Sequence, residues 1–123
     1  MRTGKFAFAR FTEPEKSFSA RVTIRQNGQL GFNDGARNQF GLQKRRFAVL
    51  FYDEENRAVG ILLTDDSNEA GVIRFSNNPQ NTYVGAKAFL DRYGIDYSKS
   101  RRYALAKEGD LLVFELAKPL GKQ

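Results

Sequence analysis

The chain has 123 residues, which is enough for one domain with a buried core and too few for two full domains. Its 11 Phe and 5 Tyr are not the composition of a disordered tail. The sequence has no Cys and no His, which excludes disulfide frameworks, thiolate zinc sites and imidazole catalysis. A net charge of +6 favours a polyanionic partner.

The N-terminus and the longest apolar run bear on localisation. The apolar residues 6–9 are interrupted by Arg10, which is not the pattern of a signal peptide. The longest apolar run covers residues 47–52, whereas a helix needs about 20 apolar residues to cross a bilayer. We therefore expect a cytoplasmic protein with no membrane partner.

The first half of the chain predicts strands, one short helix and a hairpin. In chain order the predicted elements are strands at 5–9, 18–25 and 29–32, a helix starting at Asn33 or Asp34 and ending at Phe40, and strands at 45–52 and 58–63. A polar break at 12–16 separates the first two strands. Apolar and polar residues alternate strictly over 18–25, which is typical of a half-buried strand and places Arg21 and Arg25 on its exposed face. Asn27-Gly28 is a strong hairpin signal, and Gly41 ends the helix.

The second half predicts a similar series of elements. We expect a strand at 72–75, a helix from Asn81 or Thr82 through Tyr93, and strands at 101–105 and 111–116. Apolar residues spaced by three and four between Ala86 and Tyr93 favour the helix, and Gly94 ends it.

Two stretches of the chain share one pattern, although chance convergence of short β-rich units could also produce it. In both, a helix ends at a glycine, and the next strand begins with Arg-Arg, an aromatic residue, Ala and an aliphatic residue, at 45–49 and at 101–105. We interpret 17–64 and 72–116 as duplicated strand–helix–hairpin units within a single domain, 1–123. The predicted fold is a β-rich α+β domain, a small barrel or strongly curved antiparallel sheet with two short helices. An open curved sheet of the Whirly type is the alternative.

Residues 28–42 read GQLGFNDGARNQFGL and resemble the core motif of AbrB-type swapped-hairpin transcription regulators. The tandem arrangement resembles the MraZ type, in which one chain carries two such units. Gly28, Arg37, Gly41 and the apolar positions match the motif, whereas Gln29 and Asn33 replace its basic residue and its proline. The resemblance implies an interlocked dimeric β-barrel that binds DNA through basic residues on one face. It also implies that any reading of the base sequence involves Arg37 and its neighbours.

The basic residues provide candidate phosphate contacts. Successive side chains of a strand point to opposite faces, so only one arginine of each Arg-Arg pair can lie on a given surface. The candidate nucleic-acid-binding residues are Arg21, Arg25, Arg37, Lys44, Arg45, Arg46, Arg101 and Arg102. The alternative is a solvated barrel exterior, or guanidinium groups that pair with Asp53, Glu54 or Asp110.

Three functions are compatible with these patterns. We expect first a non-enzymatic DNA-binding transcription regulator that acts as a homodimer or as a pseudo-symmetric monomer. A single-stranded nucleic-acid binder is the second hypothesis, with base stacking on Tyr52, Tyr83, Tyr97 or Tyr103. A module that docks an acidic protein is the third. No motif predicts catalysis, a small-molecule substrate, a cofactor or a metal, since the acidic clusters at 53–55 and 65–69 lack the calcium-loop pattern.

Overall fold

The computed structural model describes residues 2–10 and 19–121. Its elements are β1 (Arg2–Thr3), β2 (Phe6–Ala7), β3 (Arg21–Ile24), β4 (Gln29–Phe32), α1 (Asp34–Phe40), a 3-10 helix (Leu42–Lys44), β5 (Phe47–Asp53), β6 (Ala58–Thr64), β7 (Ile73–Asn78), β8 (Asn81–Gly85), α2 (Lys87–Arg92), β9 (Arg101–Ala104), β10 (Ala106–Glu108) and β11 (Leu111–Glu115). The predicted break at 12–16 and the first residue of the predicted strand 18–25 lie outside the described residues.

The strands of the described residues form a two-stranded ribbon, β1–β2, and one nine-stranded antiparallel sheet. The order of the large sheet is β10-β11-β6-β5-β7-β8-β4-β3-β9. Its two edge strands are consecutive in the chain and are separated only by Leu105, whose N–H donates to the Ala20 carbonyl at 3.1 Å. Because one continuous segment forms both edges, the sheet is a nearly closed barrel. The prediction of a β-rich, barrel-like antiparallel sheet with two short helices is confirmed.

The hairpins alternate around this sheet. The β3–β4 hairpin pairs with β9 and β8, and the β5–β6 hairpin pairs with β7 and β11. If β3, β4, β5 and β6 are exchanged with β7, β8, β9–β10 and β11 respectively, the same pattern of strand pairs results. The two Arg-Arg-aromatic-Ala segments at 45–49 and 101–105 place different residues in the core: Tyr103 belongs to the core cluster in the second, whereas Ala48 and not Phe47 belongs to it in the first.

The core fills the interior of the sheet and reaches both helices. Its largest fully buried side chains are Phe114, Ile24, Leu30, Leu42, Ile61, Leu90, Val22, Val59, Val84 and Thr82. Helix α1 begins as predicted, because the Asn33 side chain accepts from the Ala36 N–H at 2.9 Å, and it ends at Gly41 in the left-handed conformation, φ 63°. Neither α1 nor α2, the α-helices of the described residues, is long and apolar enough to cross a membrane.

The predicted helix from Asn81 or Thr82 to Tyr93 is wrong in its first half. Residues Asn81–Gly85 form β8, and only Lys87–Arg92 is helical. The strand pairs with β4 on one side and with β7 on the other, so tertiary hydrogen bonding outweighs the local helical spacing. The strand predicted at 72–75 continues to Asn78 for the same reason.

Candidate nucleic-acid interface

Five strands, β7, β8, β4, β3 and β9, present one continuous outer face, which we call the arginine face. In these strands buried residues alternate with residues that are not buried, so every second side chain points outward. The cross-strand pairs arrange the outward residues in rows: Ala104, Arg21, Asn33, Asn81 and Asn78; Arg102, Thr23, Gly31, Tyr83 and Ser76; and Arg25, Gln29 and Gly85, with Arg74 beside Gly85.

Among the residues that the structure describes, the arginine face carries cations and no carboxylate. Its charged side chains are Arg21, Arg25, Arg74 and Arg102, and none of them forms an ion pair with a described residue. The remaining polar side chains of the rows are amides, hydroxyls and one phenol. Uncompensated like charges on one surface produce a positive potential there, which attracts polyanions.

Neutral groups hold Arg25 in place. Its Nη1 donates to Gln29 Oε1 and its Nη2 donates to Asn81 Oδ1, both at 2.9 Å. The guanidinium carbon lies 5.8 Å from the centre of the Tyr83 ring. The group crosses the strand at Gly31, where a Cβ atom would collide with it. Because amides rather than carboxylates fix this side chain, Arg25 is ordered without loss of its charge.

One further arginine, Arg46, extends the positive surface to the start of β5. The guanidinium carbons of Arg46 and Arg74 lie 5.4 Å and 6.0 Å from the centre of the Phe47 ring. Arg46 was a predicted site residue, whereas Arg74 was not. The alternation of Arg74 with the apolar Ile73 and Phe75 is the signal that could have identified it.

Three predicted site arginines are compensated by carboxylates. The ion pairs are Arg37 Nη1–Asp34 Oδ1 at 2.7 Å, Arg45 Nη1–Asp65 Oδ2 at 3.6 Å and Arg101 Nη1–Asp96 Oδ2 at 3.5 Å. These acids differ from the three considered in the sequence. Hydrogen bonds from Ser98 first, and the Arg101 guanidinium second, lower the pKa of Asp96, so this carboxylate stays ionised at neutral pH.

Each Arg-Arg pair is therefore divided between two environments. Arg45 and Arg101 pair with acids, whereas Arg46 and Arg102 have no carboxylate partner among the described residues. Lys44 is exposed at the end of the 3-10 helix. Of the eight predicted residues, the structure brings Arg21, Arg25 and Arg102 together on one face.

One of the four candidate stacking tyrosines lies on the arginine face. Tyr83 occupies the middle row and is half-buried. Tyr103 belongs to the core, Tyr52 packs edge-on against an aromatic ring of α2, and the Tyr97 hydroxyl donates to Asp91 at 2.8 Å. Only Tyr83 therefore combines an outward position with neighbouring guanidinium groups.

No protein-family model, curated protein or solved structure matches the chain. Within residues 2–10 and 19–121, no group of three His, Cys, Asp or Glu side chains is placed to hold a metal ion.

Proposed function

We propose that this protein is a non-enzymatic DNA-binding protein that contacts phosphates through the arginine face. The observation that carries this proposal is a set of four arginines on one sheet surface, to which the described part of the chain contributes no carboxylate. Guanidinium groups neutralise phosphates with release of counterions, which favours binding and makes it depend on salt.

The spacing of the arginines suits an extended polyanion. Arg21 begins β3 and Arg25 directly follows its last residue, so the two lie four residues apart, which is about 13 Å along an extended chain. Arg25 and Arg74 lie three strands apart, which is about 14 Å across the sheet. One nucleic-acid backbone that crosses this face can therefore meet several guanidinium groups at once.

The strand pairing supports a tandem swapped-hairpin arrangement in which two duplicated units interlock. Among the described strands, each hairpin of one proposed unit pairs outside itself only with strands of the other unit, as in the interlocked barrel that the AbrB resemblance implies. Here both units belong to one chain, so we propose that a single chain forms the binding face. Arg37 contributes little to base reading in this proposal, because Asp34 and the Pro79 carbonyl engage its guanidinium group.

A salt-dependent titration with two matched triple variants tests the proposal. One variant, Arg21→Gln/Arg25→Gln/Arg102→Gln, removes three charges from the arginine face. The control, Arg92→Gln/Lys107→Gln/Lys118→Gln, removes three charges elsewhere. Fluorescence anisotropy with labelled DNA is recorded at 50 and 200 mM salt.

We expect the wild-type protein to bind at 50 mM salt and to weaken steeply at 200 mM. The arginine-face variant should weaken binding about 100-fold and reduce the slope of log K against log salt by about 2 to 3 for three lost contacts. The control should stay within a few-fold of the wild type. Absence of wild-type binding at 50 mM salt, or equal losses in the two variants, would overturn the proposal.

A further inference from the structure

We infer that the arginine face accepts a single strand, with one unpaired base stacked beside Tyr83 over the backbone of Gly85. This inference rests on the proposed function and adds the form of the nucleic acid. The observations behind it are an open space on the face, an aromatic side chain next to that space, and cations on both sides.

The open space lies above Gly85, and we call it the Gly85 gap. Gly85 is exposed, and a Cβ atom added there would meet no atom within 4 Å. Gln29 faces it from β4, Arg74 lies beside it on β7, and Tyr83 precedes it by two residues on the same side of β8. The gap therefore has a backbone floor, with a polar neighbour on β4 and an aromatic neighbour on β8.

The other glycine of the arginine face, Gly31, differs from Gly85 because its outer side is covered. Gly31 also lacks a side chain, but the Arg25 guanidinium group fills the space above it. That group is held by its two amide partners and leaves Gly85 uncovered. The face thus has one occupied and one vacant position where a flat group can lie against the backbone.

The neighbours of the gap match the chemistry of a nucleobase. Stacking of a base on an aromatic side chain contributes about 1–3 kcal/mol and requires no particular base. Gln29 accepts from Arg25 through Oε1, so its NH₂ group is a donor for a base edge.

The requirement for an unpaired base distinguishes a single strand from a duplex. Duplex bases stack on one another and expose only their edges in the grooves, so their flat faces cannot reach Tyr83. Arg25 on one side, and Arg46 with Arg74 on the other, flank the gap with guanidinium groups that have no carboxylate partner among the described residues. They are placed for the phosphates on either side of the stacked base.

Filling the gap without disturbing the fold tests this inference. Gly85→Leu adds bulk at an exposed position that has room for a Cβ atom and no left-handed backbone requirement. Ala104→Leu is the matched control, because it adds bulk at another exposed position of the same face. The probes are fluorescein-labelled 12-nucleotide oligothymidylate and a labelled 12-base-pair duplex, both at 50 mM salt.

We expect the wild-type protein to bind the single strand at least about tenfold more tightly than the duplex. Gly85→Leu should weaken single-strand binding about tenfold and change duplex binding less than about twofold, a difference that corresponds to about 1.4 kcal/mol. Ala104→Leu should change neither affinity by more than about twofold. Circular dichroism and thermal melting report whether each variant is folded.

The outcomes separate the two proposals. If the wild type binds neither probe, the proposed function fails. If it binds both probes equally and Gly85→Leu leaves single-strand binding unchanged, only the single-strand inference fails. Should Gly85→Leu not fold, Tyr83→Ala removes the stacking ring without added bulk, and unchanged single-strand affinity in that variant overturns the inference.

Discussion

The outer surface of the sheet has two halves of opposite character. The arginine face displays cations, amides and hydroxyls, whereas the outer side of β5, β6 and β11 is apolar. We call the second surface the apolar face; its residues are Val49, Phe51, Gly60, Leu62, Leu111 and Val113. Both halves cover one core with the same alternation, so the inner face determines the fold and the outer face is free to differ.

The charges around the apolar face oppose those of the arginine face. A groove of about 410 Å³ runs along it, and its charged lining residues are Asp53, Glu108 and Glu115, of which Glu115 pairs with Lys118 Nζ at 3.4 Å. Phe51 is 46% exposed in this groove. In the proposed function, this distribution of charge favours docking of a polyanion on the arginine face over docking on the apolar face.

The largest expected effect in this comparison comes from placing a carboxylate on each face in turn. Thr23 lies in a row with Arg102 and between Arg21 and Arg25 on β3. Thr23→Glu should pair with these guanidinium groups and repel phosphates, and so weaken nucleic-acid binding at least about tenfold, or about 1.4 kcal/mol. Fluorescence anisotropy measures the change.

The matched variant is Val113→Glu, which places the same charge on the apolar face. It should leave nucleic-acid affinity within about twofold of the wild type. If Val113→Glu weakens binding as much as Thr23→Glu does, net charge and not the position of the charge controls binding.

A smaller effect should separate the central glycines of the two faces. Gly31→Ala displaces the flexible end of Arg25, so the fold survives but the two amide hydrogen bonds are lost. We expect binding to weaken about three- to fivefold, because Arg25 is then no longer held in place. In Gly60→Ala the new Cβ atom would lie 3.0 Å from Leu111 Cδ1, so only the Leu111 side chain must shift.

Gly60→Ala should therefore leave nucleic-acid binding unchanged and move the melting temperature by a few degrees at most. Parallel titrations and thermal melts of the two variants make the measurement. Equal affinity in Gly31→Ala and Gly60→Ala would show that the ordered position of Arg25 is unimportant for binding.

The smallest effect concerns stability at alkaline pH, where a tyrosine of the core beneath both faces loses its proton. Burial raises the pKa of Tyr103 above its ordinary value of 10.0, since the phenolate is poorly solvated there. As pH rises, the Tyr103 phenol therefore loses its proton in the unfolded chain before it does so in the folded protein. The free energy of unfolding is constant with respect to this group below pH 10 and decreases as pH rises through the folded pKa. The decline is at most about 1.4 kcal/mol per pH unit.

Urea denaturation at pH 8, 10 and 11 measures this dependence. Tyr103→Phe should flatten the decline above pH 10, whereas Tyr93→Phe, at an exposed ring, should keep it. A decline of the same steepness in Tyr103→Phe would assign the effect to another group.

Much of the arginine face follows from local patterns. Period-two alternation was sufficient to place Arg21 and Arg25 on the exposed side of β3, and the Asn27-Gly28 turn defined the β3–β4 hairpin. The glycine at position 41 ended α1 as predicted. These features depend on residues close together in the chain, whose side-chain directions and backbone preferences are local properties.

Ion pairing of the predicted arginines could not be read from the sequence. Arg37 and Asp34 are near neighbours, but the partners of Arg45 and Arg101 depend on how loops fold back on the strands. An arginine on a predicted strand carries the same local signal whether or not an acid from elsewhere reaches it. Compensation is thus a property of tertiary structure.

The sequence by itself determined the strand alternation, the first helix and the outward direction of the β3 arginines. Only the tertiary structure decided that Tyr83 and Arg74 lie on the same face as these arginines. Both residues are more than 40 residues away from β3 in the chain, and their strands are connected to β3 through β4 in the sheet. Barrel closure through Leu105 also brings Arg102 beside Thr23. Alternation is a local consequence of backbone geometry. The neighbours of each strand are instead set by long-range pairing, in which the backbone N–H and C=O groups of all the strands must find partners together.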